Sequence, residues 1–130
     1  MLILFRHNAK KYAYDTVAGS ITPLTALAWR MLEAAEPPLT PVCPTALRYE
    51  LAKYDSADVE EAYAELYEKA ANGVIFAPEN GTLSTPDTDA ETARAALDAA
   101  ANKLTAPVTV TGAHRLLAEE ILSAKGLFKQ

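Results

Sequence analysis

A chain of 130 residues, half of them hydrophobic, has the length and composition of one globular domain. Twelve basic against seventeen acidic side chains leave a net charge of −5. The acidic excess holds in both halves, with seven positive and ten negative groups in residues 1–77 and five and seven in residues 78–130. Nucleic-acid affinity rests on neutralised phosphates, so this balance argues against a nucleic-acid partner.

Residues 2–6 (Leu-Ile-Leu-Phe-Arg) are a short apolar run of β character. No basic region precedes it, and it is too short for a signal peptide. No stretch approaches the roughly 20 apolar residues that span a bilayer. The lone cysteine, Cys43, cannot form an intrachain disulfide and fits a reducing compartment. The expected location is the cytoplasm, with no membrane association.

His7–Lys10 is a polar connection to a second run, 11–17, in which Tyr12 and Tyr14 share a strand face. Gly19 marks another turn, and Ile21 to Leu24 reads as a third strand. Three runs joined by tight turns predict an antiparallel meander. The period then becomes helical over 25–36, with Leu24, Leu27, Ala28, Met31, Leu32 and Ala35 on one stripe. Thr25 is a plausible N-cap, and Thr22 with Pro23 at the first helical position is the alternative. Pro37 and Pro38 stop this helix and open a proline-rich loop. A second helix is expected over 45–53, and a third over 57–71 capped by Asp55 or Ser56. The stripe of the third is Val59, Ala62, Tyr63, Leu66 and Ala70. Asn72-Gly73 ends it, and Val74-Ile75-Phe76 returns as a short extended segment.

From Pro78 the composition becomes turn-rich, so residues 78–88 read as a linker. An alanine-rich helix over about 89–104, a β run over 107–111 and a helix over 113–125 predict an α-β-α appendage. The fold class is α+β: a three-stranded antiparallel sheet followed by three helices, winged-helix-like, in a domain of residues 1–77, with residues 89–130 appended.

Few residues offer chemistry. His7, His114 and Cys43 are not at metal-ligand spacing, so no metal and no cofactor is expected. Cys43 lies between Val42 and Pro44 without an identifiable base. Asp58, Glu60, Glu61, Glu65 and Glu68 lie on one helix, where a solvated face is a far commoner outcome than acid–base catalysis. No glycine-rich phosphate loop is present. The chain is therefore read as a non-catalytic binding module and not as an enzyme. The aromatic residues concentrate before residue 78, and Tyr63 and Tyr67 stack at i, i+4 on the third helix. A half-buried tyrosine beside a sheet edge is a good peptide contact.

Strand–strand–strand–helix–helix–helix, with Tyr12-Ala-Tyr14-Asp15 and Gly19-Ser-Ile21 in the sheet, resembles the RiPP recognition elements. These are PqqD-like peptide-binding domains, similar to the N-terminal domain of radical SAM peptide maturases. The runs Leu47-Arg-Tyr49-Glu-Leu51, Val59-Glu-Glu-Ala-Tyr63 and Gly73-Val-Ile-Phe76 extend the resemblance over about residues 2–77. It implies that a precursor's leader peptide adds to the third strand and lies between it and the third helix. Ser20, Ile21, Thr22 and Leu24 would then face Tyr63, Leu66, Tyr67 and Ala70. It also implies a radical SAM maturase and its precursor as partners. Pro23 departs from this pattern by removing a backbone donor from the receiving strand. A three-cysteine cluster motif cannot be present with one cysteine. Two other classes compete. One is a winged-helix nucleic-acid binder contacting through Arg48 and Lys53, and the other is an accessory or structural oligomerising subunit.

Overall fold

The computed structural model describes residues 1–129, and its α+β architecture is the one the sequence pattern predicts. Strands β1 (Leu2–His7), β2 (Lys10–Asp15) and β3 (Ile21–Leu24) form an antiparallel sheet in the order β1-β2-β3. Its register pairs Phe5 with Tyr12 and Ala13 with Thr22. The β1–β2 hairpin closes through Asn8 and Ala9, at φ 51° and 63°. Two positive φ values match the right-handed strand twist, but alanine pays for the left-handed region where glycine does not. Ala9→Gly is expected to raise stability by about 0.5 kcal/mol, the left-handed penalty less glycine's greater unfolded-state entropy. A denaturant midpoint that does not move, or that falls, would contradict this.

Three helices follow: α1 (Ala26–Ala34), α2 (Thr45–Glu50) and α3 (Ser56–Ala71). Thr25 is the N-cap of α1, its Oγ1 accepting from Ala28 N at 3.1 Å, so β3 keeps its full length. Asp55 caps α3 by accepting from Ala57 N at 2.9 Å. Helix α2 is shorter than expected, because the chain turns from Leu51 onward. Val74–Phe76 is not a strand. It is irregular, with Phe76 at φ 56°.

The turn-rich segment read as a linker contains a strand, β4 (Thr82–Ser84), that pairs in parallel with β5 (Thr109–Thr111). Helix α4 (Ala90–Ala101) connects them, and α5 (Arg115–Ser123) follows β5. The chain then runs beside β5 on its other side, where Val108 N donates to Leu127 O and Lys129 N donates to Val108 O, both at 2.9 Å. Residues 82–129 thus build a small layer of two parallel strands with α4 and α5, extended by a single parallel bridge between Val108 and Phe128.

The three-stranded sheet is covered on both faces. Ala13 meets Met31, Leu32, Leu47, Val59, Tyr63 and Leu66 of α1–α3 on one side. Ile3, Phe5 and Tyr14 meet Leu83, Leu97, Val110 and Leu122 of the C-terminal layer on the other. This second core explains the alanines of α4: Ala93, Ala96 and Ala100 are fully buried and let the helix approach β1 closely.

Tyr14 ties the layers together. It is fully buried, and its hydroxyl donates to Ser84 O at 2.6 Å. Burial, and next the Asp15 carboxylate beside it, push the phenol far above its ordinary range. A raised acid pKa holds the proton in the folded state, so stability is complete below the unfolded phenol's pKa of about 10 and falls as pH rises beyond it. Tyr14→Phe should cost about 1–2 kcal/mol at neutral pH, because Ser84 O loses its donor. It should also flatten the alkaline loss of stability. Parent and variant unfolding curves that stay parallel from neutral pH to beyond that range would contradict the assignment.

Candidate functional site

With both faces of the sheet covered, its main-chain groups meet solvent at the two edges. Which groups point outward follows from the ladder. Antiparallel pairs alternate between hydrogen-bonded and non-bonded, and Asp15 N donates to Ser20 O at 3.2 Å. On the register Ala13↔Thr22, Lys11↔Leu24, residues Ser20, Thr22 and Leu24 therefore turn their main chain toward β2. Ile21 and Pro23 turn theirs outward. Pro23 thus lacks its donor on the open edge, where a proline costs the sheet nothing and blunts the edge.

Strand β1 alternates in the same way. Thr16 N donates to Met1 O at 2.9 Å, so Met1, Ile3, Phe5 and His7 face β2. The N–H and C=O groups of Leu2, Leu4 and Arg6 point outward. Among the described residues they have no hydrogen-bond partner.

The residues that the resemblance nominates are divided by the fold. Thr22, Tyr63 and Leu66 are buried, at 8%, 3% and 4% exposure. The Tyr63 hydroxyl donates to Thr40 O at 2.7 Å, so its polar tip is already committed. Ile21 packs into the core on the C-terminal side of the sheet, whereas Leu24 packs on the α1–α3 side. The Ser20 hydroxyl donates to Val74 O. Tyr67 and Ala70 are half-buried and line a cavity of about 440 Å³ with Pro37, Pro38, Leu39 and Phe76. The eight residues do not line one groove, although Ile21, Leu24, Tyr67 and Ala70 each keep partly exposed surface.

A cavity of about 360 Å³ between the C-terminus of α1, the proline loop and α2 is walled by Ala34, Pro38, Leu39, Pro44, Leu47 and Tyr63, with the tyrosine hydroxyl engaged elsewhere. The carboxyl ends of β4 and β5 are where parallel sheets usually bind ligands. Here they are filled. Thr85 Oγ1 accepts from His114 N at 3.2 Å, and a Cβ built on Gly112 would lie 2.1 Å from that oxygen. His114 Nε2 lies 2.7 Å from Thr88 O, and since a carbonyl only accepts, Nε2 carries the proton. Cys43 is buried. Among the described residues no three His, Cys, Asp or Glu side chains gather closely enough to hold a metal ion.

Electrostatics disfavour phosphate on the α2–α3 surface. Asp58, Glu60, Glu61, Glu65 and Glu68 are all exposed, Arg48 is paired with Glu60 at 2.8 Å, and Lys53 lies over the Tyr54 ring. No helix among the described residues is long and apolar enough to cross a membrane. The fold and these surfaces define an α+β protein with a three-stranded sheet covered on both faces and open at both edges. No protein-family model, no curated protein and no solved structure matches the chain.

Proposed function

We propose that this protein is a non-catalytic binding module that takes up an extended peptide as an additional strand of its sheet. The observation that carries the reading is the sheet itself, whose outward main-chain groups have no hydrogen-bond partner among the described residues while its faces are covered by side chains. An incoming strand satisfies such groups, and side-chain recesses beside the edge then select among sequences. The order of elements in residues 2–77 supports the comparison with RiPP recognition elements, and on that reading the peptide is a precursor's leader presented to a maturase in the cytoplasm. The acidic α2–α3 surface weighs against the winged-helix alternative.

The test is selection of a displayed random-peptide library on the folded protein, followed by calorimetry and amide-shift mapping of the selected peptides. Strand addition should perturb alternate amides along one sheet edge and give cross-strand contacts. Selected peptides that perturb α2 and α3 and leave both edges unchanged would overturn it, as would a library yielding no binder. A gel shift with random-sequence duplex and light scattering separately report nucleic-acid binding and self-association.

A further inference from the structure

Resting on that reading, we infer that the receiving edge is β1 rather than β3, and that the peptide it accepts presents both apolar side chains and carboxylates on the face turned toward α1. The two edges are unequal in donors. Outward N–H groups on β1 come from Leu2, Leu4 and Arg6, spaced for successive bonds to one added strand. On β3 the outward N–H is that of Ile21, and the next outward position is Pro23, which has none.

The edges also differ in what lies beside them. A recess of about 410 Å³ lies beside β1, lined by Leu2, Leu4, Trp29, Leu32 and Phe76 and by the charged Glu33 and Lys103, the latter just past the end of α4. Apolar side chains at alternate positions of an added strand would enter this recess.

Phe76 stands in that wall at φ 56°. A bulky side chain rarely adopts this conformation, and such strain persists where surrounding structure imposes it, often at ligand clamps. Here it holds the ring in the wall that the recess shares with the Tyr67 cavity.

The charge follows from the rim. Arg6 lies over the Trp29 ring, 4.8 Å from its centroid, and Lys103 lines the recess. Among the described residues neither forms an ion pair. Glu33, on the same wall, is turned to Arg30 at 3.5 Å. In a chain of net charge −5 this puts two cations without ion pairs beside a recess of mixed apolar and polar lining, next to a strand edge that is unpaired among the described residues. It complements acidic side chains. A second copy of the chain would instead bring the same cations against themselves.

The experiment repeats the library selection on parent, Leu4→Pro, Pro23→Ala and the double variant Arg6→Glu with Lys103→Glu. Leu4→Pro removes an outward donor from an edge strand, a position where proline is tolerated. Should it fail to fold by circular dichroism, the charge variant, whose side chains lie on the surface, carries the test alone. Parent-selected peptides should carry their apolar residues and their Asp or Glu on the same strand face, at every second position. They should bind the proline variant and the charge variant about tenfold more weakly or worse, and Pro23→Ala unchanged. The amides of Leu2, Leu4 and Arg6 should shift on binding. Selected peptides without acidic enrichment, or equal binding by the charge variant, would overturn the inference. So would equal binding by a folded Leu4→Pro protein, or shifts confined to β3, which would nonetheless leave strand addition standing. A library yielding no binder overturns both. Self-association lost in Leu4→Pro would assign the edge to a second copy and overturn the peptide.

Discussion

Replacing Asp15 by alanine should destabilise the protein by about 2–4 kcal/mol, because it strands three part-buried donors that have no other partner among the described residues. Asp15 is fully buried at the end of β2. Its Oδ1 accepts from Val17 N and Ala18 N, each at 2.9 Å, and closes the turn into β3. Its Oδ2 accepts from Ala77 N at 3.1 Å, where the chain leaves the α1–α3 layer for the C-terminal one. One carboxylate thus holds a local turn and a crossing between layers. Asn in its place keeps the shape and one acceptor oxygen but presents an amide NH2 to the remaining donors, so Asp15→Asn should lose about 2 kcal/mol. Chemical denaturation of the three proteins checks the order parent, Asn, Ala. A loss below 1 kcal/mol for the alanine variant would mean that water reaches those amides.

Gly112→Ala should cost about 3–5 kcal/mol, from backbone strain and overlap together. Gly112 ends β5 at φ 116°, a conformation that L-residues rarely adopt. Its added Cβ would lie 2.1 Å from Thr85 Oγ1 and 3.1 Å from Thr85 N. The hydroxyl could rotate away, but that would sacrifice its bond from His114 N, and the backbone nitrogen cannot move without β4. Gly81→Ala is the control, since Gly81 is at φ 75° with nothing within 4 Å of its Cβ position. It should cost about 1 kcal/mol, the left-handed penalty alone. In a Thr85→Ala background, Gly112→Ala should recover part of its loss. Equal destabilisation at Gly81 and Gly112 would show that overlap with Thr85 contributes nothing.

The proteolysis expected of a linker changes with the structure. In residues 78–88, Leu83, Thr85 and Pro86 are buried, and Ser84 N donates to Thr16 O at 2.7 Å. Exposed backbone in that window is concentrated before β4, so any cleavage there should fall at Pro78–Gly81.

Local signals in the sequence were enough for most of the elements, β4 excepted. The Tyr12–Tyr14 alternation, the stripe from Leu24 to Ala35, the caps Thr25 and Asp55 and the stop at Asn72-Gly73 each depend on neighbours within a few residues, and each appears where expected. Sidedness was not legible in the same way. Leu2-Ile3-Leu4-Phe5 is apolar without alternation, a sign that both faces of β1 are covered, yet what covers the second face lies some ninety residues on, in a segment whose strand β4 is three residues long. Its turn-rich flanks outweighed Thr-Leu-Ser as a signal. The candidate peptide site divided for a related reason. The helical stripe placed Tyr63 and Leu66 inward correctly, but a stripe cannot say whether the inward face meets a groove or a sealed core. Pro23 was visible as a missing donor, and the ladder register alone shows that the donor is missing from the open edge. Composition and local periodicity determined the strands and helices of the first 72 residues, to within a few residues, and α4, β5 and α5, but not β4. Register, sidedness and closure were decided by contacts between residues far apart in the chain, because the hydrophobic burial that sets them depends on which surfaces meet.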